Sequence, residues 1–295
     1  MSDQHSSNRI PLQLIAIPLL AIFAVFSAIF FLTESDRLRT YPLTDYDIKI
    51  QADSASINHG KRLFAVRGCV DCHGRNLGGR IIEAGLITGV IAAPNLTPGR
   101  GSAISGYSNV DLVRVIREGV KPNGKSVIMM PSHKFQVIHK RDLESLIAYI
   151  KSVEPVDRKL PETELSFPLR IYYFINRELA LFPANKISRS SEIPEPEMGN
   201  RKARAKYVAS SCVGCHGYKL KGGKIPGVPP YWPDAPDLTS SGIAGEWTKQ
   251  EFIAAMEKGV TPEGRHIDEQ FMPWPAFGKL AEEEFDLLWE YLKSL

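Results

Sequence analysis

The chain carries the same five-residue pattern twice, Cys-Val-Asp-Cys-His at residues 69–73 and Cys-Val-Gly-Cys-His at residues 212–216. Cys-x-x-Cys-His is the attachment signal for c-type haem. Two thiols one helical turn apart can each bond a vinyl group of the porphyrin, and the adjacent histidine can then ligate the iron. The two pairs consume all four cysteines of the chain, so no thiol remains for a disulfide.

We therefore predict two haem c groups, each with its iron, and with His73 and His216 as proximal ligands. The predicted covalent attachment points are the four cysteines Cys69, Cys72, Cys212 and Cys215. The competing interpretations are a zinc site and a dithiol redox pair. A zinc site would join both cysteine pairs, usually at short separation, and a thioredoxin-type pair needs a βαβ setting that neither motif has.

The N-terminal region contains a long apolar segment. Residues 11–32 carry no charged side chain and are apolar except for Gln13 and Ser27. Twenty-two helical residues span about 33 Å, enough to cross the hydrocarbon core of a bilayer. A cleaved signal peptide is the alternative, but its apolar region would be shorter, and no convincing cleavage site precedes Glu34. We predict a single transmembrane anchor within residues 1–33.

The haem motifs predict the orientation of this anchor. Arg9 on one side faces Arg37 and Arg39 on the other, so the distribution of positive charge does not decide it. In bacteria, c-type haem is attached outside the cytoplasmic membrane. The predicted location is therefore the bacterial cytoplasmic (inner) membrane, with one span and with the haem domains in the periplasm.

The two halves of the chain repeat each other with an offset close to 142 residues, as expected of duplicated domains. Ala-Pro-Asn-Leu-Thr at 93–97 matches Ala-Pro-Asp-Leu-Thr at 235–239, and Met-Pro recurs at 130–131 and 272–273. The repeat predicts five segments: an anchor at 1–33, a juxtamembrane linker at 34–53, a first domain at 54–153, a strap at 154–197 and a second domain at 198–295.

Both copies have the periodicity of helical domains. Capping boxes at 108–111 and 248–251 predict helix starts, and first helices are predicted near 56–66 and 199–210. No strong strand pattern is present, so the predicted fold class is all-α. Between the copies, residues 165–182 are too apolar for a free linker, with large side chains that include Phe167, Ile171, Tyr172, Phe174, Leu179 and Phe182. We predict a strap packed across both domains, with a flexible tether as the alternative.

Met130 and Met272 are the predicted sixth ligands of the two irons. They follow their histidines by 57 and 56 residues, and each precedes a proline in a loop. A thioether favours ferrous iron and raises the reduction potential. Met129 is a rival to Met130, but the repeat pairs it with Phe271.

The other histidines of the two copies have no counterpart in the opposite copy, which favours surface or structural roles. These residues are His59, His133, His139 and His266. If methionine fills both sixth positions, no coordination position is open for a substrate.

Taken together, these motifs resemble class I cytochrome c domains. The resemblance rests on Cys-x-x-Cys-His, Pro-Asn-Leu-Thr, Arg-Glu-Gly-Val, Met-Pro-x-x-x-Phe and the closing amphipathic helix. The tandem form resembles the multihaem cytochrome c subunits of membrane-bound periplasmic dehydrogenases, although three-haem members have one more motif. The resemblance implies three to five helices around each haem and electron transfer from a dehydrogenase toward quinone, another cytochrome or an oxidase.

The leading functional hypothesis is therefore an electron carrier that is not a catalyst by itself. Its expected partners are redox proteins, namely a dehydrogenase, another cytochrome or a terminal oxidase, and membrane lipid through the anchor. The alternative is a dihaem redox enzyme of the peroxidase or thiosulfate-oxidising type. The first would need an accessible iron, and the second a further cysteine as ligand, which this chain does not have.

Charge is distributed unevenly between the two copies. Residues 54–153 hold 14 Lys and Arg against 6 Asp and Glu, whereas residues 198–295 hold 12 against 13. The whole chain has a net charge of only +3, too weak to suggest a nucleic-acid partner. Either the basic residues only keep the first copy soluble, or that copy faces anionic lipid headgroups or an acidic protein.

Overall fold

A computed structural model describes residues 12–176, 179–195, 197, 199–225, 228 and 232–295. Residue 11, the first of the apolar segment, and residue 198, the predicted start of the second domain, lie outside these described residues.

The apolar segment forms one long helix, α1 (Leu12–Leu38). Its residues Ala16–Leu38 are long and apolar enough to cross a membrane, and few of them are buried against the rest of the protein. A signal sequence near the N-terminus of a chain can also meet these criteria of length and hydropathy. The length and composition of α1 therefore allow it to span a membrane.

The first half continues with helices that carry the predicted motifs. They are α2 (Ser54–Val66), α3 (Cys69–His73), α4 (Asn109–Glu118), α5 (Ser132–Phe135) and α6 (Lys140–Ser152). The capping box forms as the sequence predicts: Ser108 caps α4 and exchanges hydrogen bonds with Asp111. Gly119 then ends α4 in the left-handed conformation, φ 65°, which glycine adopts without steric cost.

The second half repeats this order. Its helices are α8 (Arg201–Ala209), α9 (Val213–His216), α10 (Ile243–Glu246), α11 (Lys249–Lys258), α12 (Trp274–Phe277) and α13 (Glu282–Lys293). Thr248 and Glu251 form the second capping box, and Gly259 ends α11 at φ 65°. Each half has its own cluster of buried apolar side chains, and the partly buried methionines Met130 and Met272 pack against the first and second cluster, respectively.

The protein is mostly helical, but the all-α prediction is wrong in one region. A three-stranded antiparallel sheet is formed by β1 (Arg80–Gly85), β2 (Gly89–Ala93) and β3 (Glu164–Leu165). The first two strands form a hairpin between the first haem motif and Pro94. Runs of isoleucine and valine on either side of a three-residue turn flanked by glycines are the local signal for this hairpin. A bulge between Ile81 and Glu83 interrupts the strict alternation that identifies a strand.

The segment between the two halves contains β3 and helix α7 (Phe167–Ile175). Leu169 and Tyr173 of α7 join Leu181 and Phe182 in a third apolar cluster beneath the sheet. The later part of the segment is bonded to the first half, for example by Arg117, whose guanidinium donates to the carbonyl oxygen of Glu192 at 3.0 Å.

The two halves contact each other directly. Arg62 of α2 pairs with Glu284 of α13, one of the two hydrogen bonds measuring 3.2 Å. Tyr207 of α8 donates its hydroxyl hydrogen to the Asp142 carboxylate of α6, and its ring stacks on His139 with centroids 3.7 Å apart. This interface aligns the two copies side by side.

Candidate haem sites

Each Cys-x-x-Cys-His motif forms a single helical turn. In the first, α3 runs from Cys69 to His73, and Gly74 ends it at φ 75°. In the second, Cys212 precedes α9 and Gly217 ends that helix at φ 74°. One turn places two cysteines three residues apart on one side of the helix, the spacing that bonding to two vinyl groups requires.

Both predicted proximal histidines are buried and held by the same hydrogen bond. His73 is 8% exposed and its Nδ1 lies 3.1 Å from the carbonyl oxygen of Pro94. His216 is 4% exposed and its Nδ1 lies 2.9 Å from the carbonyl oxygen of Pro236. A carbonyl oxygen only accepts, so Nδ1 must carry the proton and Nε2 keeps its lone pair. This bond selects the tautomer that can ligate iron and fixes the plane of the ring.

Burial also keeps these imidazoles neutral. It lowers the pKa of His73 and of His216, and the bonds to Pro94 and Pro236 offset this only in part. A neutral imidazole is the form that binds metal.

The glycine-containing loop after each motif brings the histidine and the proline segment together. Gly79 donates its amide hydrogen to the carbonyl of His73 at 3.0 Å, and Gly222 does the same to His216 at 3.0 Å. A side chain at Gly79 would meet the carbonyl oxygen of Ala93 at 2.5 Å, and φ there is +73°. Only glycine fits this close approach without displacing the segment that holds His73.

Leu77 and Leu220 also connect the loop after each cysteine motif to the proline segment. Both are almost fully buried and both have left-handed backbones, at φ 57° and 56°. Their carbonyl oxygens accept hydrogen bonds from Leu96 and Leu238, at 2.8 and 2.9 Å. Non-glycine residues occupy this region only when the surroundings compensate, and here the compensation is the bond to the Pro-x-Leu-Thr segment.

The predicted sixth ligands lie in matching turns. Ser132 donates its amide hydrogen to the carbonyl of Met130 at 2.8 Å, and Trp274 donates to Met272 at 2.7 Å. The proline inside each turn has similar angles: φ −80° and ψ 51° at Pro131, and φ −75° and ψ 58° at Pro273. These are the angles of an inverse γ-turn, for which proline supplies the required φ.

The rival methionine has a different environment. Met129 is 38% exposed, and its amide hydrogen is donated to Leu181 at 2.9 Å. Met130, by contrast, packs against the first apolar cluster. Position therefore favours Met130 as the side chain directed to a buried cofactor.

Two of the remaining histidines belong to the contact between the halves. His59 Nε2 lies 2.7 Å from the Asp142 carboxylate, and His139 stacks on Tyr207. His133 lies in α5, and His266 pairs with Val260 in a β-bridge. The role of His59 and His139 at this interface is not visible in the sequence, because their partners are distant along the chain.

The cysteines do not have the environment of a redox dithiol or a zinc site. Burial is the main cause that raises the pKa of Cys69 and of Cys212 to about 12, whereas the attacking thiol of a redox pair needs a lowered pKa. Among the described residues, which include all four cysteines, no three His, Cys, Asp or Glu side chains are grouped to hold a metal ion. The two cysteine pairs thus do not form a joint site.

The first half reaches the second motif. A Cβ at Gly214, between Cys212 and Cys215, would lie 3.2 Å from Lys134 Nζ of α5. Burial raises the pKa of Cys215, and the charges of two first-half residues also affect it: Lys134 lowers this pKa and Asp71 raises it. Arg67 donates a hydrogen bond to the Ser210 hydroxyl at 2.8 Å. The methionine loop of the first half therefore lies against the cysteine motif of the second.

Comparison with known proteins identifies one part of the chain directly. Residues 201–295 match the cytochrome c family. They form a cytochrome c domain, a type of domain that binds haem c covalently through its cysteines and transfers electrons.

Longer matches connect the chain to dehydrogenase subunits and to a dihaem cytochrome. It is 26% identical over 238 residues to the fructose dehydrogenase cytochrome subunit of Gluconobacter japonicus, covering 72% of this chain and 47% of that protein. It is 26% identical over 230 residues to a nicotinate dehydrogenase subunit of Pseudomonas putida, covering 70% and 18%. It is 24% identical over 229 residues to a diheme cytochrome c-type of Cereibacter sphaeroides, covering 70% and 74%. The chain thus spans about half, or less, of the dehydrogenase relatives and most of the dihaem cytochrome.

Proposed function

We propose that this chain is a membrane-anchored dihaem cytochrome c that passes electrons between redox proteins. Its two tandem domains are residues 54–153 and 198–295, each with one covalent haem c. The observation that carries the proposal is the duplicated arrangement of a cysteine motif, a buried histidine and a proline carbonyl, with Nδ1–oxygen distances of 3.1 and 2.9 Å. The same arrangement in both halves supports a haem in the first half as well, outside the matched residues 201–295.

The donor atoms present fit haem c. In each half, two thiols lie on one helical turn, a neutral imidazole keeps Nε2 unprotonated, and a methionine packs against the same apolar cluster as the first cysteine of the motif. The first site consists of Cys69, Cys72, His73 and Met130, and the second of Cys212, Cys215, His216 and Met272. Haem c supplies a one-electron couple, and thioether ligation raises its potential. The protein residues attach, orient and shield it.

Electron passage between the sites is supported by their position on either side of the interface. Lys134 follows the Met130 turn and lies against the second cysteine motif. Arg67 and Asp71 of the first half are close enough for their charges to affect the pKa values of Cys212 and Cys215, respectively, which burial mainly raises. A short path through this interface would let one haem receive electrons and the other deliver them.

The proposed partner is a membrane-bound dehydrogenase, and the proposed location is the periplasmic face of the bacterial inner membrane. Both are supported by relatives named as dehydrogenase cytochrome subunits and by the apolar helix α1. The helix would hold the haem domains next to a donor in the same membrane.

Rapid-mixing spectroscopy of the purified full chain tests the proposed function. A one-electron donor should reduce both haems and an external cytochrome should reoxidise both, since His73 with Met130 and His216 with Met272 would hold the two irons as electron carriers. Neither haem should bind carbon monoxide on this timescale. Carbon monoxide binding at one iron, or turnover of peroxide or thiosulfate, would favour the enzymatic alternative instead.

A further inference from the structure

The turn of the β1–β2 hairpin exposes two large aliphatic side chains. Leu86 is 94% exposed and Ile87 is 74% exposed, and they lie in the three-residue loop between the paired Gly85 and Gly89. We call residues 86–88 the hairpin tip. Tight turns usually carry Gly, Pro, Asn, Asp or Ser, so adjacent Leu and Ile at a turn point to an apolar partner.

The tip is fixed to helix α7. Ser166, the N-cap of α7, donates its hydroxyl hydrogen to the carbonyl of Ile87 and its amide hydrogen to the carbonyl of Thr88, the latter at 3.4 Å. Strand β3 pairs Leu165 with Gly89 immediately beside it. The position of the tip is therefore set by the position of the N-terminal end of α7.

Helix α7 in turn lies along α1. The rings of Phe167 and Phe26 stack with centroids 4.9 Å apart. Three residues further along α7 and eight further along α1, the Arg170 guanidinium pairs with Glu34 at 3.2 Å. These contacts follow both helices in the same direction, so the N-terminal end of α7 and the hairpin tip lie at the more apolar end of the contact.

The depth of this contact follows from helix geometry. The apolar run of α1 ends at Leu32, and Phe26 precedes it by six residues, which corresponds to about 9 Å along the helix. Half of a hydrocarbon core is about 15 Å thick. If α1 spans a bilayer, Phe167, which stacks on Phe26, and the adjoining hairpin tip therefore lie at the depth of the acyl chains of the outer leaflet.

Residues nearer the end of α1 have the chemistry of the headgroup region. Arg37 and Arg39 are exposed, and Thr40 pairs with Lys125 in a β-bridge. The Tyr172 side chain of α7 is 47% exposed at this end of the contact. Basic side chains and tyrosines are typical of the level of the lipid headgroups, so chemistry and depth agree.

We propose that the hairpin tip, Leu86 and Ile87, inserts into the acyl-chain region of the outer leaflet beside α1 and forms a second membrane contact of the protein. The proposal rests on the proposed function, because it takes α1 as a retained membrane span. The hairpin strands lead directly to Gly79 and Pro94, which hold His73. At about 3.3 Å per residue, the tip lies about 20 Å from the first haem site, so insertion fixes the height of that haem above the membrane.

Quenching by brominated lipids tests the proposal on the full-length haem-loaded protein in lipid nanodiscs. Leu86→Cys is labelled with bimane, and its fluorescence is compared in nanodiscs with and without bromine on the acyl chains. The matched control is Arg265→Cys, whose native side chain is 78% exposed in the second half. The ratio of the two intensities cancels quenching by haem. Acyl-chain bromine should reduce the emission at position 86 severalfold and leave that at position 265 unchanged.

Equal ratios at the two positions would overturn the proposal, whether water or a second copy of the chain covers the tip. Ile87→Cys serves as an independent second position, with the same expected result. Two readouts separate this outcome from failure of the proposed function. Bimane labelling of the unaltered chain would show that its cysteines are not all bonded to haem, and the mass of the mature protein shows whether α1 is retained.

Discussion

At the scale of single residues, the two halves use the same backbone geometry to orient equivalent side chains. The bond from histidine Nδ1 to the carbonyl of Pro94 or Pro236 fixes the tautomer, and a glycine two residues after a left-handed leucine permits the approach. The Met-Pro turn is also set by backbone geometry. The roles of these residues can thus be tested one at a time.

Replacing Met130 by histidine should lower the potential of one haem. Imidazole stabilises ferric iron better than thioether does, and axial ligands and their surroundings tune haem potentials over about 0.8 V, so a drop on the order of 0.1–0.2 V is expected. A redox titration followed by absorbance measures it. Met129→His is the matched control and should leave both potentials in place. If Met129→His lowered a haem potential and Met130→His did not, Met129 rather than Met130 would be the sixth ligand of the first iron. Met272→His should act on the second haem in the same way.

Gly79→Ala should destabilise the first half more than Gly106→Ala. Both glycines have positive φ, +73° and +82°, but only at Gly79 would the new Cβ meet backbone atoms, the closest at 2.5 Å. Conformational strain costs about 1–3 kcal/mol at either position, and the clash should add about 1–3 kcal/mol at Gly79. Guanidinium unfolding gives the difference in the free energy of unfolding. Equal losses would show that the Ala93 segment moves away freely.

At the scale of elements, the helices that carry the motifs are largely predictable from the sequence. The capping boxes at 108–111 and 248–251 appear where the pattern places them, because a cap is a local interaction between residues three apart. First helices predicted near 56–66 and 199–210 correspond to Ser54–Val66 and Arg201–Ala209. Local signals of this kind need no knowledge of the tertiary structure.

Two kinds of feature are not predicted from the sequence: a hairpin with an interrupted pattern, and contacts between distant residues. The β1–β2 hairpin has a local signal that its bulge obscures, and the third strand, Glu164–Leu165, comes from the segment between the halves. The bonds from His73 and His216 join positions about 20 residues apart. The contact of Asp142 with Tyr207 joins the two halves across 65 residues. A single sequence contains no pattern that pairs such residues.

The contact between the halves should weaken in acid because of Asp142. Burial raises the pKa of Asp142, but hydrogen bonds from His59 and Tyr207 outweigh burial and leave this pKa below its usual value. The stability that the carboxylate contributes is therefore present above about pH 4 and lost as pH falls through its folded-state pKa. Asp142→Asn should cost about 1.5–3 kcal/mol at pH 7, and less at pH 3.5.

Guanidinium unfolding at the two pH values measures this change. Glu83→Gln, at an exposed position of β1, is the control and should show little loss at either pH. A loss with Asp142→Asn that is the same at both pH values would contradict the assignment of the acid sensitivity to this carboxylate.

At the scale of the whole molecule, the proposed membrane anchor and the proposed haem sites are connected by one continuous set of contacts. Helix α1 holds α7, α7 holds the hairpin, and the hairpin leads to the segment that holds His73. The first half contacts the second through Arg62 and Tyr207. If α1 is a membrane anchor, the first proposed haem site is therefore linked to it through fewer contacts than the second.

A chain that lacks residues 1–33 should still have some affinity for membranes. The truncated chain, supplied with a cleavable export signal, keeps the hairpin tip and should bind liposomes reversibly. Replacing Leu86 and Ile87 by serine should then weaken binding about tenfold to a hundredfold per residue, as expected for about 1.5–3 kcal/mol of lost burial. Liposome sedimentation measures it. Equal partitioning of the truncated chains with and without the serines would mean that the tip adds no affinity.

The number of covalent haems per chain tests the central claim most directly. Mass spectrometry of the intact protein, together with the pyridine haemochrome absorbance per polypeptide, should give two haems for the native chain. It should give one haem for the variant Cys69→Ala/Cys72→Ala and one for Cys212→Ala/Cys215→Ala. A native chain with a single haem, bound only within residues 201–295, would contradict the account of two equivalent sites.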